Sequence, residues 1–151
     1  MRNFTLLLLT VMFATACNTY TEKEKQSFNS EAESYAKKHH WNYEVVDGGL
    51  ILEVLEKGTG TEKIQAGSKI TLSYKGMLTN GNIFDQTEPG KSFEANLKGL
   101  IGGFQLGLLN QVAGTKLRLV VPPQLGYGDD NLDKIPANST LVFEILIEKV
   151  I

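Results

Sequence analysis

Hydrophobic and polar residues alternate most regularly between residues 70 and 85. Ile70, Leu72, Tyr74 and Leu78 fall on one set of positions, with Thr71, Ser73 and Lys75 between them. A period of two predicts a strand with one buried face. Asn80-Gly81 follows, a pair that tolerates positive φ and permits a tight hairpin. Phe84-Asp85 returns on the second strand, near Tyr74, so one hairpin carries two aromatic rings and a carboxylate. These residues are either ordinary core or the wall of a shallow apolar pocket with a single polar group.

The same alternation recurs along the chain. Residues 49–55 (GLILEVL) read as a strand, and residues 92–96 as a short strand carrying Phe93. In residues 115–122, Leu117, Leu119 and Val121 alternate with Lys116, Arg118 and Val120. Pro122-Pro123 ends that strand, because proline lacks the donor a sheet needs. Residues 139–150 close the chain with Leu141, Phe143, Ile145 and Ile147 on one face. In residues 99–110 the period changes: Ile101, Phe104 and Leu108 sit at helical spacing, which predicts a short helix from about Gly102. Gly107 inside it costs up to about 1 kcal/mol, so something must pack it in place. The predicted fold is α+β, a curved antiparallel sheet wrapped around one short helix.

Residues 123–138 show no period and read as a long loop containing Gly126-Tyr127-Gly128 and Ile135-Pro136. Structureless loops of that length in compact domains are usually functional. Glycine on both sides of Tyr127 lets the backbone bend so that the ring leans over a neighbouring pocket.

The N-terminal third reads differently. Residues 1–3 are a short positive start, and residues 4–13 (FTLLLLTVMF) form an apolar run too short to span a bilayer comfortably. This is the form of a signal-peptide core. Ala14-Thr15-Ala16 precedes Cys17, which resembles a bacterial lipoprotein cleavage box, although Ala14 stands where leucine is more usual. An ordinary signal peptidase would also accept Ala14-x-Ala16. An unmodified exported thiol at a terminus is open to oxidation, which favours the lipid-modified form. Buried acyl chains contribute about 0.8 kcal/mol per CH₂, enough for a stable anchor when several are present. The expectation is a lipid on Cys17, holding the protein at an envelope membrane on its periplasmic face. Asn18 in place of Asp after the cysteine points to the outer membrane, by resemblance to Gram-negative lipoproteins. Residues 18–30, with Glu22, Lys23, Glu24 and Lys25 of mixed sign, read as a solvated tether. Residues 31–40 predict a short helix with Ala32, Tyr35 and Ala36 on one face. Trp41 and Tyr43 are expected to dock it on the domain. The organisation is therefore a signal peptide over 1–16, a tether and helix over 17–43, and a folded domain over 44–151.

Composition narrows the chemistry. Charged residues are 21% and hydrophobic residues 42%, as in globular proteins, and the formal charge of −2 offers nothing to a polyanion, so nucleic acid is not an expected partner. The single cysteine excludes an intrachain disulfide, paired-cysteine redox chemistry and multi-cysteine zinc sites. His39 and His40 are adjacent, do not face one another on a helix and have no third ligand nearby, so no metal is expected. Neither a phosphate-cradling loop nor a Ser/His/Asp array is present, and no cofactor is expected.

Six stretches then carry a resemblance. They are Tyr74-Lys75-Gly76-Met77-Leu78, Gly81-Asn82-Ile83-Phe84-Asp85, Leu100-Ile101-Gly102-Gly103-Phe104, Gly126-Tyr127-Gly128, Ile135-Pro136 and Thr140-Leu141-Val142-Phe143. Any one is weak, but in this order and near this spacing they resemble the FK506-binding-protein type of peptidyl-prolyl isomerase over residues 49–151. The helical, lipid-anchored preamble also resembles envelope-exported members, some of which accompany gliding machinery. The resemblance implies a pocket between sheet and helix, lined by Tyr74, Phe84, Phe93, Phe104 and Phe143. It puts Leu100 and Ile101 at the rim and Ile135 at the side. It implies that Tyr127 offers its hydroxyl to a substrate carbonyl, that Asp85 is the buried polar group, and that these two with Phe84 form the catalytic set. Phe104 stands where the family usually has tryptophan, which enlarges the floor. Lys134 makes the rim more polar, Glu88-Pro89 replaces a basic residue that often faces the Asp85 position, and the loop between Leu97 and Leu100 is shortened. These departures bear on drug affinity more than on catalysis. The implied partners are proline-containing segments of exported polypeptides; the sequence does not name the oligomeric state, and a monomer is the expectation. The alternative is an envelope-anchored module that binds such segments with little turnover.

Overall fold

The structure, a computed structural model, describes residues 20–151. Strand β3 (Lys69–Leu78) is its centre, and Ile70, Leu72 and Tyr74 are buried along it as the period of two requires. The chain reverses at Gly81, whose φ is +89°, and the Leu78 N–H donates to the Asn82 carbonyl at 2.9 Å. Strand β4 (Ile83–Gln86) returns beside β3, and β5 (Phe93–Asn96) pairs with the earlier part of β3. On its other edge β3 meets β7 (Leu141–Val150), then β6 (Lys116–Val121), β2 (Leu50–Glu56) and β1 (Glu44–Val46). Every pairing is antiparallel.

Helix α2 (Gly102–Leu108) lies against the inner face of this sheet. Two glycines set its approach. A Cβ on Gly103 would come within 2.7 Å of the Val121 methyls, and one on Gly107 within 2.8 Å of Leu119 Cδ2. The helix-weakening residue noted at Gly107 is thus one of two places where the helix lies too close to β6 for a side chain. Phe104 and Leu108 are fully buried beneath it, with Leu72, Leu117, Leu119, Phe143 and Ile147.

The outer face departs from the expectation in a way that changes the architecture. Helix α1 runs Glu22–Lys38, not from residue 31, so most of the predicted tether is helical. Thr21 caps it: the Glu24 N–H donates to Thr21 Oγ1 at 3.3 Å, and the Thr21 N–H donates to Glu24 Oε2 at 2.7 Å. Thr21-x-x-Glu24 is a capping box, a start signal that the run of charges obscured. Lys25–Glu22 and Lys37–Glu33 ion pairs, each 2.8 Å, account for the mixed signs. Ala32 and Ala36 are fully buried against Trp41, Ile51, Val120 and Val142. This second cluster explains why Ile51, Val120 and Val142 are apolar although they alternate out of phase with the inner face.

Beside it, Glu53 accepts from Arg118 Nε at 2.5 Å and from the Asn42 N–H at 2.8 Å. The Arg118 guanidinium lies 4.1 Å from the centre of the Trp41 ring. The expected signal peptide over 1–16 and the expected lipid site Cys17 fall outside the described residues.

The long loop also has more order than its sequence suggests. It opens with a 3₁₀ turn, Pro123–Leu125. The Gly128 N–H donates to the Pro123 carbonyl at 3.0 Å, and the Asn138 N–H to the Gly128 carbonyl at 2.8 Å.

Candidate functional site

The hairpin brings Tyr74 and Asp85 together. The Tyr74 hydroxyl donates to Asp85 Oδ2 at 2.5 Å, across the β3–β4 pair. Thr87 holds the backbone of Tyr74 from both sides: its N–H donates to the Tyr74 carbonyl at 3.0 Å and its Oγ1 accepts from the Tyr74 N–H at 3.1 Å. Thr87 carries no signal in the sequence, because its role exists only once the strands pair.

Gly76 sits opposite Asp85 on one side and Phe143 on the other. A Cβ there would come within 2.7 Å of Phe84 Cζ and 2.8 Å of Phe143 Cε1. Glycine is what lets the two rings close over the strand. Phe143 meets Phe84 edge to face at 5.6 Å and Phe104 at 4.7 Å. Tyr74 meets Phe104 at 6.4 Å and Phe93 at 5.9 Å, again edge to face. Such contacts add about 0.5–1.5 kcal/mol per pair beyond burial. Five rings from β3, β4, β5, α2 and β7 therefore form one connected series.

Phe104 and Phe143 are completely buried, as are Leu100, Ile101 and Ile135 to within 2%. Tyr74 and Phe84 are nearly so, while Phe93, Asp85 and Tyr127 are half-buried and Lys134 is exposed. The part of the cluster that meets solvent is thus its rim, and the innermost rings pack against one another. Gln105 steadies the start of α2, its Nε2 donating to the Leu100 carbonyl at 2.7 Å. It too escaped the sequence reading.

Burial, then the hydrogen bond and charge of Asp85, hold the Tyr74 phenol protonated far above the ordinary tyrosine range. Burial and the same carboxylate do so for Tyr127. Both hydroxyls therefore remain donors at any physiological pH. The site is thus an apolar aromatic cluster with two protonated phenols near its one carboxylate. It contains no nucleophile–base pair, so it suits conformational rather than bond-breaking chemistry.

An antiparallel sheet curved over one short helix, with this cluster between them, defines a class of α+β protein, and the comparisons with known proteins agree on which. The profile of the FKBP-type peptidyl-prolyl cis-trans isomerases matches residues 60–148, more than half of the chain. The chain therefore belongs to that family. The FKBP-type peptidyl-prolyl cis-trans isomerase FkpA of Buchnera aphidicola subsp. Schizaphis graminum is 42% identical over 98 residues, which is 64% of this chain and 39% of that one. FK506-binding protein 4 of Mycosarcoma maydis is 41% identical over 104 residues, 68% of this chain and 28% of that one. The chain thus spans less than half the length of these curated relatives. Among solved structures, FkpA from Escherichia coli superposes with a TM-score of 0.72 at 33% identity, covering 85% of this chain and 62% of its own. A peptidyl-prolyl cis-trans isomerase from Pseudomonas syringae pv. tomato gives 0.73 at 29% identity, covering 89% and 98%.

Proposed function

We propose that this protein catalyses cis-trans isomerisation of X-Pro bonds in polypeptides. The observation that carries the proposal is the aromatic cluster with the Tyr74–Asp85 hydrogen bond at its edge, in a chain of the isomerase family. Rotation about the prolyl bond crosses a barrier of about 18–20 kcal/mol because the amide loses conjugation on the way. Unaided it takes about 10–100 s. Nothing is transferred, so what accelerates it is a surface that binds the twisted amide better than either planar form. The twisted amide is less polar across its C–N bond, which an aromatic, water-poor surface favours. Tyr127 donates to a neighbouring carbonyl, a fixed dipole that needs no reorganisation as the bond turns. Each tenfold in rate needs about 1.4 kcal/mol of such preference.

Two-dimensional NMR exchange on an X-Pro peptide tests this. Tyr127→Phe removes one hydroxyl and is expected to lower turnover about tenfold, equivalent to ~1.4 kcal/mol, with little loss of fold. An unaltered rate would remove Tyr127 from the mechanism. A second reading draws on the complete burial of Phe104 and Phe143: a module that binds proline segments with little turnover. Wild-type turnover at background, with peptide still bound, would establish it instead.

The clients we propose are exported or envelope polypeptides, met by a protein tethered through lipid on Cys17 on the periplasmic face, the outer membrane before the inner. The support is the apolar run of residues 4–13 and the small residues before the single cysteine. Metabolic labelling with radioactive palmitate checks it. Wild type is expected to take up label and sediment with membranes, and Cys17→Ser to do neither; an unlabelled wild type rejects the anchor.

A further inference from the structure

Helix α1 lies outside the region matched by the isomerase family profile, which begins at residue 60. It does more than cover the outer face of the sheet. At its start, the Tyr20 hydroxyl donates to Asn138 Oδ1 at 2.5 Å, joining residues 118 apart in sequence. Asn138 has a positive φ of 60°, and its N–H holds the Gly128 carbonyl, one residue beyond Tyr127. A Cβ on Gly128 would lie 3.7 Å from the same Tyr20 hydroxyl. Tyr20 is itself set by Phe28 on α1, edge to face at 5.0 Å. At the next residue of the helix, the side-chain amides of Asn29 and Gln124 meet at 2.7 Å beside the Gly48 carbonyl. Gln124 belongs to the 3₁₀ turn that opens the loop, and Asn138 is near its end. One helix thus holds both ends of the loop that presents Tyr127 and Ile135.

We propose that Tyr20 is a positioning residue: with Asn29 it makes α1 a clamp that fixes the geometry of the Tyr127 loop and so sets the turnover of the site. The proposal rests on the reading of Tyr127 as the donor. The backbone logic is direct. Gly128 carries a φ of +62° and two loop-closing hydrogen bonds, so a shift at Asn138 is transmitted to the peptide that follows Tyr127. Residues so placed need not touch substrate to govern rate, because a small displacement of a donor weakens its bond to a developing geometry.

The test is a double-mutant cycle on the full chain, reading NMR exchange of an X-Pro peptide and amide hydrogen exchange together. Tyr20→Phe keeps the ring on Phe28 and removes only the donor. Asn138→Gly removes the acceptor and tolerates the positive φ. Each is expected to lower kcat/KM three- to tenfold, to leave the amides of β3 and β7 protected, and to speed exchange at Gly128 and Asp130. In a Tyr127→Phe background the added loss from Tyr20→Phe is expected to vanish, because a clamp has no effect on a donor already gone. Losses that simply add, or Gly128 and Asp130 exchange unchanged in Tyr20→Phe, overturn the clamp. If Tyr127→Phe alone leaves turnover intact, the donor reading falls, and the exchange at Gly128 and Asp130 still decides whether Tyr20 holds the loop.

Discussion

Phe143→Ala is expected to cost about 3–5 kcal/mol of stability, lowering the melting temperature by roughly 10–15 °C for a domain of this size. Phe143 is fully buried on β7, its ring centred 4.7 Å from that of Phe104 and 5.6 Å from that of Phe84. Large-to-small changes cost most where the surroundings cannot collapse into the space. Here the facing residue on β3 is Gly76, which has no side chain to offer. The same geometry predicts a partial rescue. Gly76→Ala alone is destabilising, since its Cβ would lie 2.7–2.8 Å from Phe84 and Phe143. In the Phe143→Ala background the Phe84 ring can shift into the vacated space, so the methyl is expected to fit and to recover part of the loss, a coupling that urea titration of the four proteins measures. Purely additive losses, or a Phe143→Ala cost below about 1 kcal/mol, would show that the ring is not packed between these neighbours.

The second large effect lies on the other face. Trp41→Ala is expected to cost about 3 kcal/mol and to loosen α1 before the sheet. Trp41 is 9% exposed and packs with Ala32, Ala36, Ile51, Val120 and Val142, edge to face with Tyr35 at 5.9 Å. Its removal takes the apolar anchor from a helix whose own buried residues are two alanines. It also strips the ring from the Arg118 guanidinium, leaving the Glu53–Arg118 pair open to water. A 17-residue polar helix is marginal alone, so once undocked it frays. Hydrogen exchange is the measurement: α1 amides are expected to lose protection while those of β3 and β7 keep theirs. Equal loss throughout would mean that α1 and the sheet unfold as one unit.

How much of this was legible beforehand depends on how local each cause is. The alternation over Ile70, Leu72 and Tyr74, and that over Leu117, Leu119 and Val121, report a half-buried strand because the backbone itself points side chains to opposite faces. The turn at Gly81 and the change of period at Ile101, Phe104 and Leu108 are equally local. Thr21-x-x-Glu24 was also local and could have been read; the charges of residues 22–25 masked it. Short β1 and the internal bonding of the 123–138 loop left no comparable pattern.

Sequence by itself therefore determined the strands β2–β7, the short helix α2 and the resemblance that grouped the site residues, since each is written in spacing along a few residues. Only the tertiary structure decided that α1 buries the outer face, that Gly76 opens the space which Phe84 and Phe143 share, and that Tyr20 reaches Asn138. A hydrophobic period states which side of an element is dry. It carries no information on what dries it, because that follows from strand register and from contacts between residues as far apart as 118 positions in the chain.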